Sequence, residues 1–128
     1  MFDEAILAAA DEQADTFVQP GGGRLDHLKD VARRITIYYS RGDAVLWLSS
    51  AVNGNARLGH DGPGDKTDTT LFPIAQFRMA DCTTVSDYGA PLDLLDTHQY
   101  YRLSPTVRRD IVSIMAKTAS PAGGIVVV

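Results

Sequence analysis

The sequence predicts an α/β fold in which a mostly parallel sheet of about three strands is flanked by helices. Three observations carry this expectation: strand-like runs at residues 5–10 and 34–40, helical spacing of apolar residues after each run, and turn residues at every boundary. A strand, a helix and then another strand favour parallel pairing, because the crossover returns the chain to the same end of the sheet.

The run Ala5-Ile6-Leu7-Ala8-Ala9-Ala10 is short, apolar and closed by polar residues, as expected of a strand buried on both faces. Its length alone leaves a helix open. Gln19-Pro20-Gly21-Gly22-Gly23 breaks the chain, and Leu25, Leu28, Val31 and Ala32 then recur at helical spacing, predicting a short amphipathic helix over residues 24–33. Arg34-Ile35-Thr36-Ile37-Tyr38-Tyr39-Ser40 is rich in β-branched and aromatic side chains and stops at Arg41-Gly42-Asp43, the firmest strand of the chain. A helix over residues 44–52 follows from Val45, Leu48 and Val52, with Asn53-Gly54 as its stop and Trp47 packed among Leu46 and Leu48.

Residues 55–70 read as a long surface loop, and residues 80–85 as a third strand. A second long loop runs to Leu103. Ser104-Pro105 supplies an N-cap and a first-turn proline for a final helix whose face carries Val107, Ile111, Ile114, Met115 and Thr118. After Pro121-Ala122-Gly123-Gly124, the apolar tail of residues 125–128 is expected either to pair as a strand or to remain unstructured.

Composition narrows the function. A chain of 128 residues, 45% of them hydrophobic, is the size of one small domain with one core. The formal charge of −4 argues against a nucleic-acid surface, which needs clustered Lys and Arg. The single cysteine, Cys82, makes no internal disulfide, and no apolar run approaches the ~20 residues of a membrane span. With an acidic start in place of a signal peptide's basic region, the expected location is cytoplasmic. His27 and His60 lack partners at metal-ligand spacing, and residues 21–23 lack the Lys-Ser/Thr of a phosphate loop, so no metal and no cofactor are expected.

In a parallel α/β sheet the reactive groups sit in loops beyond the carboxyl ends of the strands. Two residues fall there: Asp43, just after the second strand, and His98 in Asp96-Thr97-His98-Gln99-Tyr100-Tyr101. A carboxylate on a short turn and an imidazole on a longer loop can meet, the acid then setting the ring tautomer. Asp43 would serve equally as a turn residue or as the N-cap of the next helix, and His98 as a solvated loop histidine.

These segments resemble a known family, the α/β-hydrolases of unknown function 900, a group of esterase- or lipase-like sequences. Ile6-Leu7-Ala8-Ala9-Ala10-Asp11 with Asp15-Thr16-Phe17 resembles that family's strand after the nucleophile segment. The stretch from Ile35 to Leu46, followed by Arg57-Leu58-Gly59, resembles its next strand, acid turn and helix. Thr97-His98-Gln99-Tyr100-Tyr101 ahead of Ser104-Pro105 resembles its histidine loop, with Gln99 in place of a more usual Ser. The similarity covers roughly residues 3–116. It implies that Asp43 is a triad acid and His98 the triad base. It also implies a truncated α/β-hydrolase-like domain over residues 1–120, equivalent to the last strands of that sheet, with residues 121–128 as a Gly/Val-rich tail available as an extra strand.

The nucleophile of this fold stands on a G-x-S-x-G turn that precedes the acid and the histidine. None of the serines at 40, 49, 50, 86, 104, 113 and 120 has that setting. The expectation is therefore an esterase-related chain with acid and base but no nucleophile, inactive alone and retaining at most a small ester-ligand site. The alternatives are a split or oligomeric esterase whose nucleophile comes from another chain, or from Cys82 or Ser40, and a protein-interaction module using an exposed sheet edge. A sheet cut in this way leaves its first strand unpaired, so a homodimer or higher homo-oligomer is expected.

Overall fold

The computed structural model describes residues 1–89, 93–117 and 125–127. Its centre is an open, four-stranded mixed sheet flanked by helices, in the order β1-β2-β3-β4. Strands β1 (Phe2–Ala8), β2 (Ala32–Tyr39) and β3 (Phe77–Asp81) run parallel, and β4 (Val126–Val127) pairs antiparallel with β3. The expected parallel core is present, and the apolar tail supplies the fourth strand, with Val128 outside the described residues.

Strand β2 alternates cleanly and so builds two cores. Ile35, Ile37 and Tyr39 join Phe77 and Met79 of β3 on one face, together with Phe17 and Phe72. Phe17, Phe72 and Phe77 meet edge-to-face, with centroids 5.1 to 6.3 Å apart. Tyr38 and Ala80 point to the other face and pack with Leu46, Cys82, Tyr100, Val107 and Ile114. Period-two alternation with both faces covered is the pattern of a doubly covered sheet.

Several boundaries differ from the sequence expectation, each for a long-range reason. Strand β1 starts at Phe2 and ends at Ala8, because its pairing with β2 runs from Phe2↔Ala32 to Ala8↔Tyr38. It is half-buried rather than buried on both faces, since among the described residues no strand lies along its outer edge. The helix expected over residues 24–33 shrinks to α1 (Leu28–Val31), because Ala32 and Arg33 are claimed by β2. The third strand overlaps the expected residues 80–85 only at Ala80 and Asp81 and begins three residues earlier, since Phe77 and Met79 fill the aromatic core while Cys82 to Val85 turn away, closed by the hydrogen bond from Val85 N to Cys82 O.

Helix α2 (Ala44–Asn53) forms where periodicity placed it and ends on Gly54 in the left-handed region, at φ 71°. Trp47 is not packed, however: Leu46 is the buried residue of α2, and Trp47 and Leu48 face outward. The expected surface loop of residues 55–70 contains α3 (Leu58–Asp61), whose Leu58 and Gly59 are buried. The loop before the last helix contains α4 (Leu94–His98) and α5 (Tyr100–Leu103).

Helix α6 (Pro105–Met115) starts as expected: Ser104 Oγ accepts from Val107 N at 3.2 Å, and Pro105 fills the first turn. Val107 and Ile114 are buried, whereas Met115 is exposed and Thr118 lies outside the described residues. Asp87 reinforces this start by accepting from Ser104 Oγ and from Thr106 N and Oγ1. Burial works against the Asp87 carboxylate, yet these bonds hold it below the ordinary range. Beneath α6, buried Asp110 accepts from Tyr38 OH and takes two bonds from Arg78, at 2.7 and 2.9 Å. No helix among the described residues is long and apolar enough to cross a membrane.

Candidate functional site

Asp43 follows β2 across the turn Ser40-Arg41-Gly42, whose backbone is closed by Asp43 N donating to Ser40 O at 3.1 Å. The turn is held from two sides. Arg41 N donates to Thr83 Oγ1, 3.1 Å, in the loop after β3, and Ser40 N donates to Gly59 O, 2.9 Å, in α3. Gly59 N in turn donates to Ala10 O, 2.9 Å, beyond β1, so one residue ties the ends of both strands together. This needs glycine: a Cβ there would meet Ala10 N at 2.4 Å and Ala9 C at 2.5 Å.

The Asp43 carboxylate is fully buried and both oxygens are used. Oδ1 accepts from Leu46 N at 2.9 Å and caps α2. Oδ2 lies 2.7 Å from His98 Nδ1. The structural and the chemical readings of this aspartate therefore coexist in one side chain. Capping fixes the carboxylate at the helix N-terminus, where negative charge is favoured, and leaves the second oxygen aimed at the ring.

His98 ends α4 and is partly exposed. Thr97 beside it was not singled out from the sequence, yet it ties the histidine helix to the start of α2: its Oγ1 accepts from Ala44 N, 3.0 Å, and donates to Leu94 O, 2.6 Å. The start of α2 and the end of α4 are thus clamped by two adjacent bonds. With Nδ1 engaged by Asp43, the ring nitrogen left for proton transfer is Nε2, to which no hydrogen bond is formed among the described residues. The neighbouring phenols stay neutral: burial first and then the Asp43 carboxylate push Tyr88 upward, and burial does so more strongly for Tyr100.

The other thiol and hydroxyl considered as nucleophiles are not presented to solvent. Cys82 is buried, and burial, followed by Asp110, pushes its thiol up to about 12, so the thiolate is scarce at neutral pH. Ser40 is buried, and its Oγ accepts from Gly42 N at 3.2 Å. His60 lies 3.1 Å from Asp61 Oδ2, apart from the Asp43 pair. No group of three or more potential ligands that could hold a metal occurs among the described residues. A cleft of about 450 Å³ opens at the other, amino-terminal end of the strands, lined by Asp3, Glu4, Arg33, Arg34, Arg78 and Lys117 among others. Its charges are already matched: Arg33 and Lys117 face Asp3, and Arg34 faces Glu4.

The structure thus brings Asp43, in the turn after β2, and His98, in the segment after β3, to 2.7 Å of each other. The family model of alpha/beta hydrolases of unknown function (DUF900) matches residues 1–115. The chain belongs to this family. No curated protein and no solved structure matches it. The matched region takes in the turn, helix α2 and the histidine segment, so Asp43, Gly59, Thr97 and His98 all lie within it.

Proposed function

We propose that this chain supplies the acid and base of an ester-hydrolysing triad, and that the nucleophile comes from a segment outside these 128 residues, seated along the open edge of β1. The observation that carries the reading is the buried Asp43 carboxylate 2.7 Å from His98 Nδ1, with Nε2 left over. Asp43 holds the tautomer that makes Nε2 the base and stabilises the imidazolium formed on proton uptake. His98 Nε2 accepts the hydroxyl proton as that oxygen attacks the ester carbonyl carbon. It returns the proton to the leaving alkoxide as the ester C–O bond breaks, and a water molecule repeats the sequence on the acyl-enzyme.

The pure chain is expected to be silent toward p-nitrophenyl acetate and unlabelled by a fluorophosphonate. Supplying a chain that carries a G-x-S-x-G turn should produce turnover that Asp43→Asn and His98→Ala abolish. Turnover indifferent to both substitutions ends the reading. With no strand along the outer edge of β1 among the described residues, self-association of the isolated chain into a homodimer or higher oligomer is also favoured, since unpaired strand edges recruit strands. Light scattering coupled to size exclusion checks this: a well-folded monomer at micromolar concentration is the opposing result.

A further inference from the structure

A cleft of about 340 Å³ lies beyond the carboxyl end of β1, the end of the sheet that also carries Asp43 and His98. Its volume is that of a small-molecule site. Its walls carry Asp11, Glu12, Gln13, Gln19, Arg24 and Arg57 with the buried Thr16, and not one apolar side chain. The frame is fixed by backbone bonds: Ala14 N donates to Ala56 O at 2.9 Å and Leu58 N to Glu12 O at 2.7 Å, on either side of an antiparallel bridge between Gln13 and Arg57. Thr16 Oγ1 accepts from Leu25 N at 3.1 Å and fastens the next segment.

The side chain of Arg57 is 12% exposed and is held through Nε, 2.7 Å from Asp11 Oδ1 and 3.2 Å from Ser49 Oγ. Its Nη1 and Nη2 form no hydrogen bond among the described residues. Other polar atoms of the wall stand likewise. Asp11 is engaged through Oδ1, Glu12 accepts from Arg24 through Oε1 at 3.0 Å, and Gln19 Nε2 donates to Gln13 Oε1 and to Asp15 Oδ1. Asp11 Oδ2, Glu12 Oε2 and Gln19 Oε1 are therefore acceptors, and Gln13 Nε2 a donor, without a partner among the described residues. Two carboxylates and two guanidinium groups line the cleft, and each acid is paired with one cation, so the lining is neutral in sum.

We propose that this cleft binds a neutral polyhydroxylated ligand of monosaccharide size. The inference does not depend on the triad reading. A net charge on the ligand finds no opposite charge left over, and Asp15, bonded to Gln19, sets a further carboxylate beside the cleft that disfavours an anion. An apolar ligand finds no apolar wall. The ligand must then donate and accept at neighbouring atoms, and vicinal hydroxyls do both, each being one donor and two acceptors. The guanidinium fork of Arg57 suits two adjacent oxygens at once, and the carboxylate and amide oxygens suit the hydroxyl protons.

The test is a nuclear magnetic resonance titration of the full nitrogen-15-labelled chain with methyl glucopyranoside, myo-inositol and glycerol at constant ionic strength. Expected are saturable shifts at Arg57 Nε and at the Gln13 and Gln19 amide groups, with a Kd on the order of 1 mM for the two ring probes and weaker binding of glycerol. Arg57→Lys keeps the charge beside Asp11 but removes the fork, and it should weaken binding about five- to tenfold; Gln13→Met removes one amide and should weaken it about two- to fivefold. The backbone spectrum of each variant reports its fold, and if Arg57→Lys does not fold, Gln13→Met decides. Three results overturn the proposal: no saturable shift with any of the three probes, equal shifts with acetate, methylammonium or N-acetylglycinamide, or an unchanged Kd in the folded variants.

Discussion

Asp43 performs two tasks with two oxygens, and substitutions separate them. Asparagine is as good a helix cap as aspartate, so Asp43→Asn should retain α2 through its bond to Leu46 N. It cannot hold the imidazole in the same tautomer or stabilise its charged form. In the complemented enzyme its turnover should fall by roughly 10³- to 10⁴-fold, with the urea midpoint little changed. Asp43→Ala should additionally lose the cap, about 0.5–2 kcal/mol of stability, which the same urea titration measures. Thr97, by contrast, acts through position. It was invisible to a reading that looks for titratable groups, although standing next to His98 was a signal in plain view.

At the scale of elements, the site depends on how α3 and α6 are fastened to the sheet. Gly59 stitches the end of β1 to the end of β2, and the atoms that an added methyl would strike are backbone, which cannot swing aside. Gly59→Ala should therefore cost about 1–3 kcal/mol or more in urea unfolding, and it should shift the His98 resonances through the Ser40–Asp43 turn. Helix α6 is anchored by the buried Asp110–Arg78 pair with Tyr38 OH as a third member. Asp110→Ala strands the guanidinium and the phenol, and unfolding should become easier by about 3–5 kcal/mol. The double variant Asp110→Leu/Arg78→Met should recover much of that loss, which distinguishes an uncompensated charge from an indispensable bond.

For the molecule as a whole, the buried phenols and thiol set an alkaline limit. Burial, followed by Asp81, pushes Tyr39 from an ordinary 10.0 to about 12, and burial with Asp110 pushes Cys82 from 9.0 to about 12. In both, the unfolded chain releases its proton at lower pH than the folded one. Their stabilising contribution is complete below pH 9.0 and is lost progressively as pH rises toward about 12. Urea midpoints across that range should fall, and Tyr39→Phe should flatten the fall; an unchanged slope would show that the phenol does not contribute.

Read alone, the chain dictates those parts whose cause is local. Strand β2, the span of α2 and its glycine stop, and the Ser104-Pro105 start of α6 follow from alternation, spacing and capping within a few residues. The positions of Asp43 and His98 beyond strand ends follow from the same order of elements. Tertiary structure decided the rest. Pairing with β1 took Ala32 and Arg33 out of a helix, the aromatic core around Phe77 moved β3 upstream, and the close approach of Gly59 to Ala10 turned a supposed surface loop into a buried tie. The 2.7 Å contact across 55 residues of chain belongs to the same class. It exists because two helices are clamped over one sheet end, and no local spacing encodes a distance that only packing sets.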